Sequence, residues 1–157
     1  MSSKLQARFK YALQPVLLLR QWDLDALKLE LATINDTLKR LQQERDKLQL
    51  DMDVAKNEWK RQSAFSDNFR VDRFTVVMRY LDDLGRQLAL KIAELAQCDA
   101  ERDKVIDQIA RAQRGLEAIE QHRDDMSKEH AKQLAGVEFK SADDHWSTLQ
   151  TRGNNDH

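Results

Sequence analysis

The feature that most constrains this chain is a repeating series of apolar residues in its first half. From Leu13 to Trp59 a residue recurs at alternating steps of three and four, and every member is apolar except two arginines. The series is Leu13, Leu17, Arg20, Leu24, Leu27, Leu31, Ile34, Leu38, Leu41, Arg45, Leu48, Met52, Ala55 and Trp59. A mean step of 3.5 residues keeps one narrow stripe of a helix facing a partner helix. The pattern therefore predicts a coiled-coil arm about 70 Å long at 1.5 Å per residue.

A second series with the same alternation fills most of the remaining chain. Its members are Val77, Leu81, Leu84, Leu88, Lys91, Leu95, Cys98, Arg102, Val105, Ile109, Ala112, Leu116, Ile119, Arg123, Met126 and His130. Between the two series, residues 62–71 break the spacing and carry Ser, Asp and Asn, which indicates a turn. Asp72 then fits the N-cap of the second arm, and Gly136 is expected to end it.

These patterns predict an all-α fold, a long two-helix antiparallel coiled-coil hairpin with a mostly disordered C-terminal tail. We place the hairpin at 1–137, with its first arm at about 9–61, its turn at about 62–72 and its second arm at about 73–137. The polar residues 138–157 are expected to form a flexible tail. Two helices bury only one stripe each, so the core should be thin. The spacing alone leaves the register of the two arms open.

Composition agrees with long helices and excludes several classes of function. Charged residues make up 34% of the chain, with one proline and four glycines. A net charge of −1 gives no electrostatic case for nucleic acid or anionic lipid. The lone Cys98 suits a reducing compartment, and the apolar run Val16–Leu19 is too short to span a bilayer. We therefore expect a cytoplasmic protein without direct membrane insertion.

No group of residues in the sequence forms a convincing catalytic or metal site. Cys98 lies in the apolar series, where a small residue packs well. His122, Asp125, Glu129 and His130 share a helical region, but a chain this rich in charge produces such groupings by chance. There is no glycine-rich phosphate loop and no nucleophile elbow. We expect no enzymatic activity, no metal and no cofactor.

Aromatic residues are concentrated at the two ends of the expected hairpin. Trp59 closes the first series, and Phe65, Phe69 and Phe74 surround the turn, where they either plug the tip or anchor a partner. At the other end, apolar side chains crowd more sides of the chain than one partner helix covers. They are Phe9, Tyr11, Leu13, Val16, Leu17 and Leu18. That end is the better candidate for insertion into another protein.

The opening pattern Phe9-x-Tyr11-x-Leu13-x-x-Val16-Leu17-x-Leu19-Arg20, followed by Leu31-Ala32-x-x-Asn35, resembles the FliJ/YscO/HrpO family. These are central-stalk proteins of flagellar and injectisome type III secretion, and the resemblance covers residues 9 to about 137. It implies a stalk that couples a hexameric export ATPase to the export gate and escorts secretion chaperones at the periphery of the membrane export apparatus. The ATPase contact would fall on Phe9, Tyr11, Leu13, Leu17, Met126 and Val137.

The same resemblance implies a contact with the cytosolic domain of the export-gate membrane protein, early in the second arm. The family pattern is an aromatic residue, Leu four later, a small residue three later and His four beyond that. The matching positions are Tyr80, Leu84, Gln87 and Lys91, of which the first two follow the pattern and the last two depart from it. These departures bear on the strength or partner specificity of that contact. The sequence does not separate the flagellar from the injectisome system.

Two other classes of function remain open from the sequence. A generic coiled-coil scaffold or homodimer would bury the Leu24–Leu48 part of the first series between two copies. A central stalk of a rotary ATPase is the other class, although such stalks are longer or carry a globular domain between their helices.

Overall fold

The computed structural model describes residues 8–65 and 70–155, which form two long helices. Helix α1 spans Gln14–Phe65, and helix α2 spans Val71–Asn155. Of the described residues, 95% are helical and none is in a strand. The all-α prediction with two long helices is therefore confirmed. The predicted turn is shorter than expected, and its centre at 66–69, including Phe69, lies outside the described residues.

Local chemistry explains where both helices begin. Pro15 lies in the first turn of α1, where its missing N–H leaves no hydrogen bond unmade. The Gln14 N–H donates to the Tyr11 carbonyl at 3.1 Å, and the Leu17 N–H donates to the Leu13 carbonyl at 3.0 Å. Helix α2 begins at Val71, so Asp72 lies inside its first turn and is not the N-cap predicted from the sequence. There its negative carboxylate interacts favourably with the positive end of the helix dipole.

Residues 25–110 form one compact unit, in which α1 and α2 pair antiparallel. Successively later residues of α1 contact successively earlier residues of α2. Cys98 Sγ lies 3.9 Å from the Ile34 carbonyl oxygen, Lys91 pairs with Glu44, and the Phe74 ring contacts Trp59. These contacts define the register that the spacing had left open. The centre of this unit is a small core cluster of Leu38, Leu41, Leu95 and Cys98, with Ile34 packed against it.

The described residues of 1–24 and 111–157 form a second compact unit. Leu17 and Leu24 are its buried side chains on α1, at 1% and 6% exposed. The chain that precedes α1 also lies against α2, because the Tyr11 hydroxyl and the His122 Nδ1 atom form a 2.6 Å hydrogen bond. The Phe9 ring contacts the His130 ring, with centroids 5.5 Å apart.

The two apolar series are confirmed as the buried faces of the helices. Most members are buried or half-buried, and the exceptions are Leu13, Arg20 and Met126, which are exposed. Arg45 and Arg102 are half-buried on these faces, and each guanidinium reaches an acidic neighbour, Asp46 or Asp99. Their stems therefore pack while their charged ends stay at the surface.

Helix α2 does not end at Gly136 but continues to Asn155. The prediction of a mostly disordered tail at 138–157 is thus not met over 138–155, and residues 156–157 lie outside the described part. A glycine ends a helix when the backbone there turns left-handed. No glycine in the described residues has a positive φ, and Gly136 is followed by good helix formers such as Glu138, Lys140 and Ala142. Gly136 therefore only weakens the helix locally.

Replacing Gly85 or Gly115 by alanine should stabilise the protein. An added Cβ at either position meets no atom within 4 Å, so the change introduces no clash. Alanine loses less backbone entropy in a helix, so each variant should gain about 0.5–1 kcal/mol in free energy of unfolding. Urea unfolding followed by circular dichroism measures the gain. Gly153→Ala, near the end of α2, is the control and should change little; a loss of stability at Gly85 or Gly115 would contradict the packing described.

Candidate partner-binding surfaces

Large apolar side chains are exposed at the beginning of α1 and at the residue just before it. We call Leu13, Val16, Leu18, Leu19 and Trp22 the N-terminal apolar cluster; their exposed fractions run from 39% at Val16 to 66% at Trp22. Leu17 lies among them and is buried, because it faces α2 while its neighbours on either side point away. Contiguous exposed apolar surface of this kind is typical of protein interfaces. The cluster is therefore a candidate docking surface.

The residues expected to contact the ATPase fall into three groups in the structure, which are exposed, half-buried and buried. Leu13, Met126 and Val137 are exposed, at 42%, 46% and 67%. Phe9 and Tyr11 are half-buried, with their rings against His130 and His122 of α2. Leu17 is 1% exposed, so its side chain is covered by its own chain. Of these six residues, Leu13, Met126 and Val137 are therefore the ones that a partner could reach most easily.

A second exposed apolar stripe lies near the end of α2 and was missed by the sequence reasoning. Phe139 is 77% exposed, Trp146 62% and Leu149 50%. With Ala142 they form a separate run with the same steps of three and four, out of phase with the second series. This spacing predicts a helix here, in conflict with the disordered tail predicted from the polar residues of this segment. The stripe gives this part of α2 the pattern of an amphipathic helix.

The residues expected to contact the export gate are only partly accessible. Tyr80 is 50% exposed, and Gln87 is exposed with its amide donating to Asp83 Oδ2 at 3.0 Å. Leu84 is 6% exposed and belongs to the buried face of α2. The Lys91 ammonium group is already paired with the carboxylates of Glu44 and Glu94. A partner that approaches this side of α2 would therefore meet Tyr80 and Gln87 first.

Lys91 forms an ion pair that links the two helices. Its Nζ lies 2.6 Å from Glu44 Oε2 and 3.3 Å from Glu94 Oε2, and its side chain is 20% exposed. The hydrogen bond from Lys91 lowers the pKa of Glu44 below its ordinary value of 4.5, with a smaller contribution from Arg40. The hydrogen bond to Glu44 likewise raises the pKa of Lys91 above 10.5. Between these values both groups are charged, and the pair favours the observed register.

Glu44→Gln should lower the unfolding midpoint at neutral pH and have progressively less effect in acid. Because the pKa of Glu44 is depressed in the folded state, its stabilising contribution is present above pH 4.5 and disappears as the pH falls through the folded pKa. In strong acid the wild-type carboxyl is neutral, so the two proteins should then unfold alike. Thermal unfolding across this pH range measures the difference.

Glu30→Gln is the matched control for that change. Glu30 is exposed on the same helix and forms no ion pair with any described residue, so its replacement should leave the midpoint nearly unchanged at each pH. A Glu44→Gln difference that stayed constant into strong acid would contradict the pairing with Lys91.

The side chains that bear reactive chemistry are arranged for packing. Cys98 is 7% exposed, and burial, aided by Glu101 and Asp99, raises the pKa of its thiol. Within residues 8–65 and 70–155, no three His, Cys, Asp or Glu side chains are close enough to hold a metal ion. The Trp59 and Phe74 rings lie 5.7 Å apart and Trp59 is half-buried, so these two aromatic residues pack on each other near the turn.

Neither helix contains, in its described part, a stretch apolar enough to cross a bilayer. No protein-family model, curated protein or solved structure matches this chain. The candidate surfaces therefore rest on the geometry described above.

Proposed function

We propose that this chain is a non-enzymatic stalk of a type III secretion export apparatus, flagellar or injectisome. In this proposal it couples the hexameric export ATPase to the cytosolic domain of the export-gate membrane protein and escorts secretion chaperones. It would act in the cytoplasm, at the periphery of the membrane apparatus. The resemblance of residues 9 to about 137 to the FliJ/YscO/HrpO family suggests this role, and two long helices are the architecture it requires.

The observation that carries the proposal is the exposure of the N-terminal apolar cluster. Leu19 and Trp22 are 54% and 66% exposed at the end of the chain that the resemblance assigns to the ATPase. An ordered helix that presents a leucine and a tryptophan to solvent gains free energy when a partner covers them. The gate contact has weaker support, since only Tyr80 and Gln87 of its expected residues are accessible.

The alternative scaffold function required the Leu24–Leu48 face to pair with a second copy. In the compact unit of residues 25–110, Leu38 and Leu41 of that face are already packed against Leu95 and Cys98 of the same chain. A homodimer along this face would first have to open these intramolecular contacts. This arrangement favours the stalk over a dimer formed through the first apolar series.

Co-purification with the cognate export ATPase tests the proposal. The test variant combines Leu19→Asp and Trp22→Asp, which place charge on exposed positions of the cluster and leave the buried faces intact. The matched control combines Leu50→Asp and Val54→Asp, which are 60% and 58% exposed on the same helix. The wild type and the control should bind the hexamer and stimulate ATP hydrolysis. The test variant should bind at least about tenfold more weakly, as expected when central apolar anchors are lost.

Circular dichroism on both variants establishes that they remain folded. Failure of the wild-type protein to bind the ATPase would reject the stalk function. Binding by the test variant as tight as that of the control would reject the N-terminal apolar cluster as the docking surface.

A further inference from the structure

An open groove lies between α1 and α2 within the unit of residues 25–110, close to the turn. Its volume is about 810 Å³, which is comparable to that of a small-ligand cleft. Its lining is largely apolar and includes Met52 and Trp59 from α1, and Met78 and Leu81 from α2. All four side chains are half-buried, so they are ordered by packing on one side and remain accessible on the other.

Two small residues on the α2 side of the lining leave space in the groove. Gly85 has no side chain and Ala89 only a methyl group, and an added Cβ at Gly85 would meet nothing within 4 Å. Met52 of α1 lines the opposite side of this space and leaves it open. Trp59 and the two methionines surround it with large, polarisable groups, and methionine adapts readily to partners of different shape.

The rim of the groove is positively charged. Lys56, Lys60 and Arg86 border it, against the single acidic residue Asp82. None of the three cations forms an ion pair with another described residue, whereas Arg40, Arg45 and Arg61 of α1 each do. The whole chain has a net charge of −1, so this concentration of unpaired cations is local. A binding partner with carboxylates beside its apolar residues would complement the rim.

We propose that this groove docks an acidic amphipathic helix of a partner protein. From Met78 to Ala89, helix α2 rises about 16 Å at 1.5 Å per residue, which accommodates about three turns of a docked helix. Such a helix would place apolar residues at i, i+4 and i+7 over Gly85 and against Trp59, with Glu or Asp near Lys56 and Arg86. The docked helix would lie across both α1 and α2 as a third helix.

A protein helix fits these observations better than a polyanion does. A nucleic acid or an anionic membrane would neutralise the cations, but neither requires an apolar groove between two helices. The inference does not rest on the proposed stalk function. The residues that line the groove include neither the N-terminal apolar cluster nor the accessible gate residues Tyr80 and Gln87. Loss of ATPase binding would therefore leave it standing.

Trp59 provides a direct optical probe for the test. Trp22→Phe and Trp146→Phe, both at exposed positions, leave Trp59 as the single tryptophan of the full-length chain. The probe is a synthetic helical peptide of three heptads with Leu at one face and Glu at the flanking positions, used below its self-association concentration. A matched peptide with Lys in place of Glu is the charge control. The acidic peptide should shift the Trp59 emission and saturate, and the Lys peptide should bind at least about tenfold more weakly.

Gly85→Leu tests whether binding occurs in the groove itself. The new side chain fills the space above Gly85, and the better helix propensity of leucine keeps α2 folded. Gly115→Leu is the matched control, since its Cβ also meets no atom, and it does not line the groove. Gly85→Leu should lower the affinity for the acidic peptide at least about tenfold. The Gly115→Leu protein should bind this peptide as tightly as the single-tryptophan parent protein does.

Three results would overturn the proposal. They are no saturable binding of the acidic peptide, equal binding of the Lys peptide, and equal binding by the Gly85→Leu and Gly115→Leu proteins. Vesicles of phosphatidylglycerol form a further arm. Binding to these vesicles that Gly85→Leu abolishes, with no binding of the acidic peptide, would assign the groove to a membrane surface instead.

Discussion

Leu38→Ala is expected to lower the free energy of unfolding by about 2–4 kcal/mol. Leu38 is 4% exposed in the core cluster with Leu41, Leu95 and Cys98. Truncation removes three carbons from this contact and leaves a cavity that neighbouring side chains fill only in part. Because a two-helix core is thin, the loss is a large fraction of the total stability. Urea unfolding followed by circular dichroism measures it.

Leu29→Ala is the matched control for this prediction. It is the same substitution on the same helix, but Leu29 is 71% exposed, so its truncation should change stability by no more than about 0.5 kcal/mol. Similar losses at the two positions would contradict the assignment of Leu38 to the buried face of α1. An unchanged m-value in both variants would show that the measured loss reflects stability and not a different unfolded state.

Leu17→Asp should detach the beginning of α1 from α2. Leu17 is 1% exposed, the lowest fraction among the buried core residues, and a carboxylate there would be desolvated without a partner. The cost should be at least about 3 kcal/mol, and local separation of the segment relieves it more cheaply than global unfolding does. The Tyr11–His122 hydrogen bond should be lost with it. Amide hydrogen exchange should therefore show residues 17–24 unprotected, with protection retained near Leu38 and Leu95.

Leu18→Asp controls for the introduction of charge at this position in the helix. Leu18 is 40% exposed, so the carboxylate remains hydrated and the amide protection of residues 17–24 should be preserved. Loss of protection in both variants would contradict the burial of Leu17 against α2. The contrast also bears on binding experiments, because a change at Leu17 alters the fold and the docking surface together. Leu19 and Trp22 separate these two effects.

The sequence predicted the buried faces of the helices well because their burial follows from a local period. Steps of three and four place residues on one side of a helix whatever its partner is. For Leu17 and Leu84, the apolar series and the family resemblance lead to different predictions. Both belong to the apolar series, which predicts burial, yet the resemblance assigned them to partner contacts. In the structure, at 1% and 6% exposed, they follow the periodicity.

The features that the sequence did not predict depend on pairing or on the context of single residues. The groove at Gly85 arises only when this glycine lies beside Met52 and Trp59, and the spacing left that register open. The end of α2 was misplaced because Gly136 resembles a stop signal, whereas its backbone remains helical. Phe139 and Trp146 were overlooked for the same reason. The ion pair of Lys91 with Glu44 likewise requires the register before it can be identified.

Sedimentation equilibrium over a wide range of protein concentration tests the central claim most directly. That claim is that α1 and α2 of one chain cover each other's apolar faces, which leaves the remaining surfaces for other proteins. It predicts a mass of 18.4 kDa throughout the range, with no step toward a larger species. A dimer of twice that mass that persisted on dilution, in the wild type and equally when the exposed residues Leu19, Trp22, Phe139 and Trp146 are replaced by Asp, would contradict the claim, because the exposed apolar surfaces would not then explain it and the Leu38 and Leu41 face would be shared between chains.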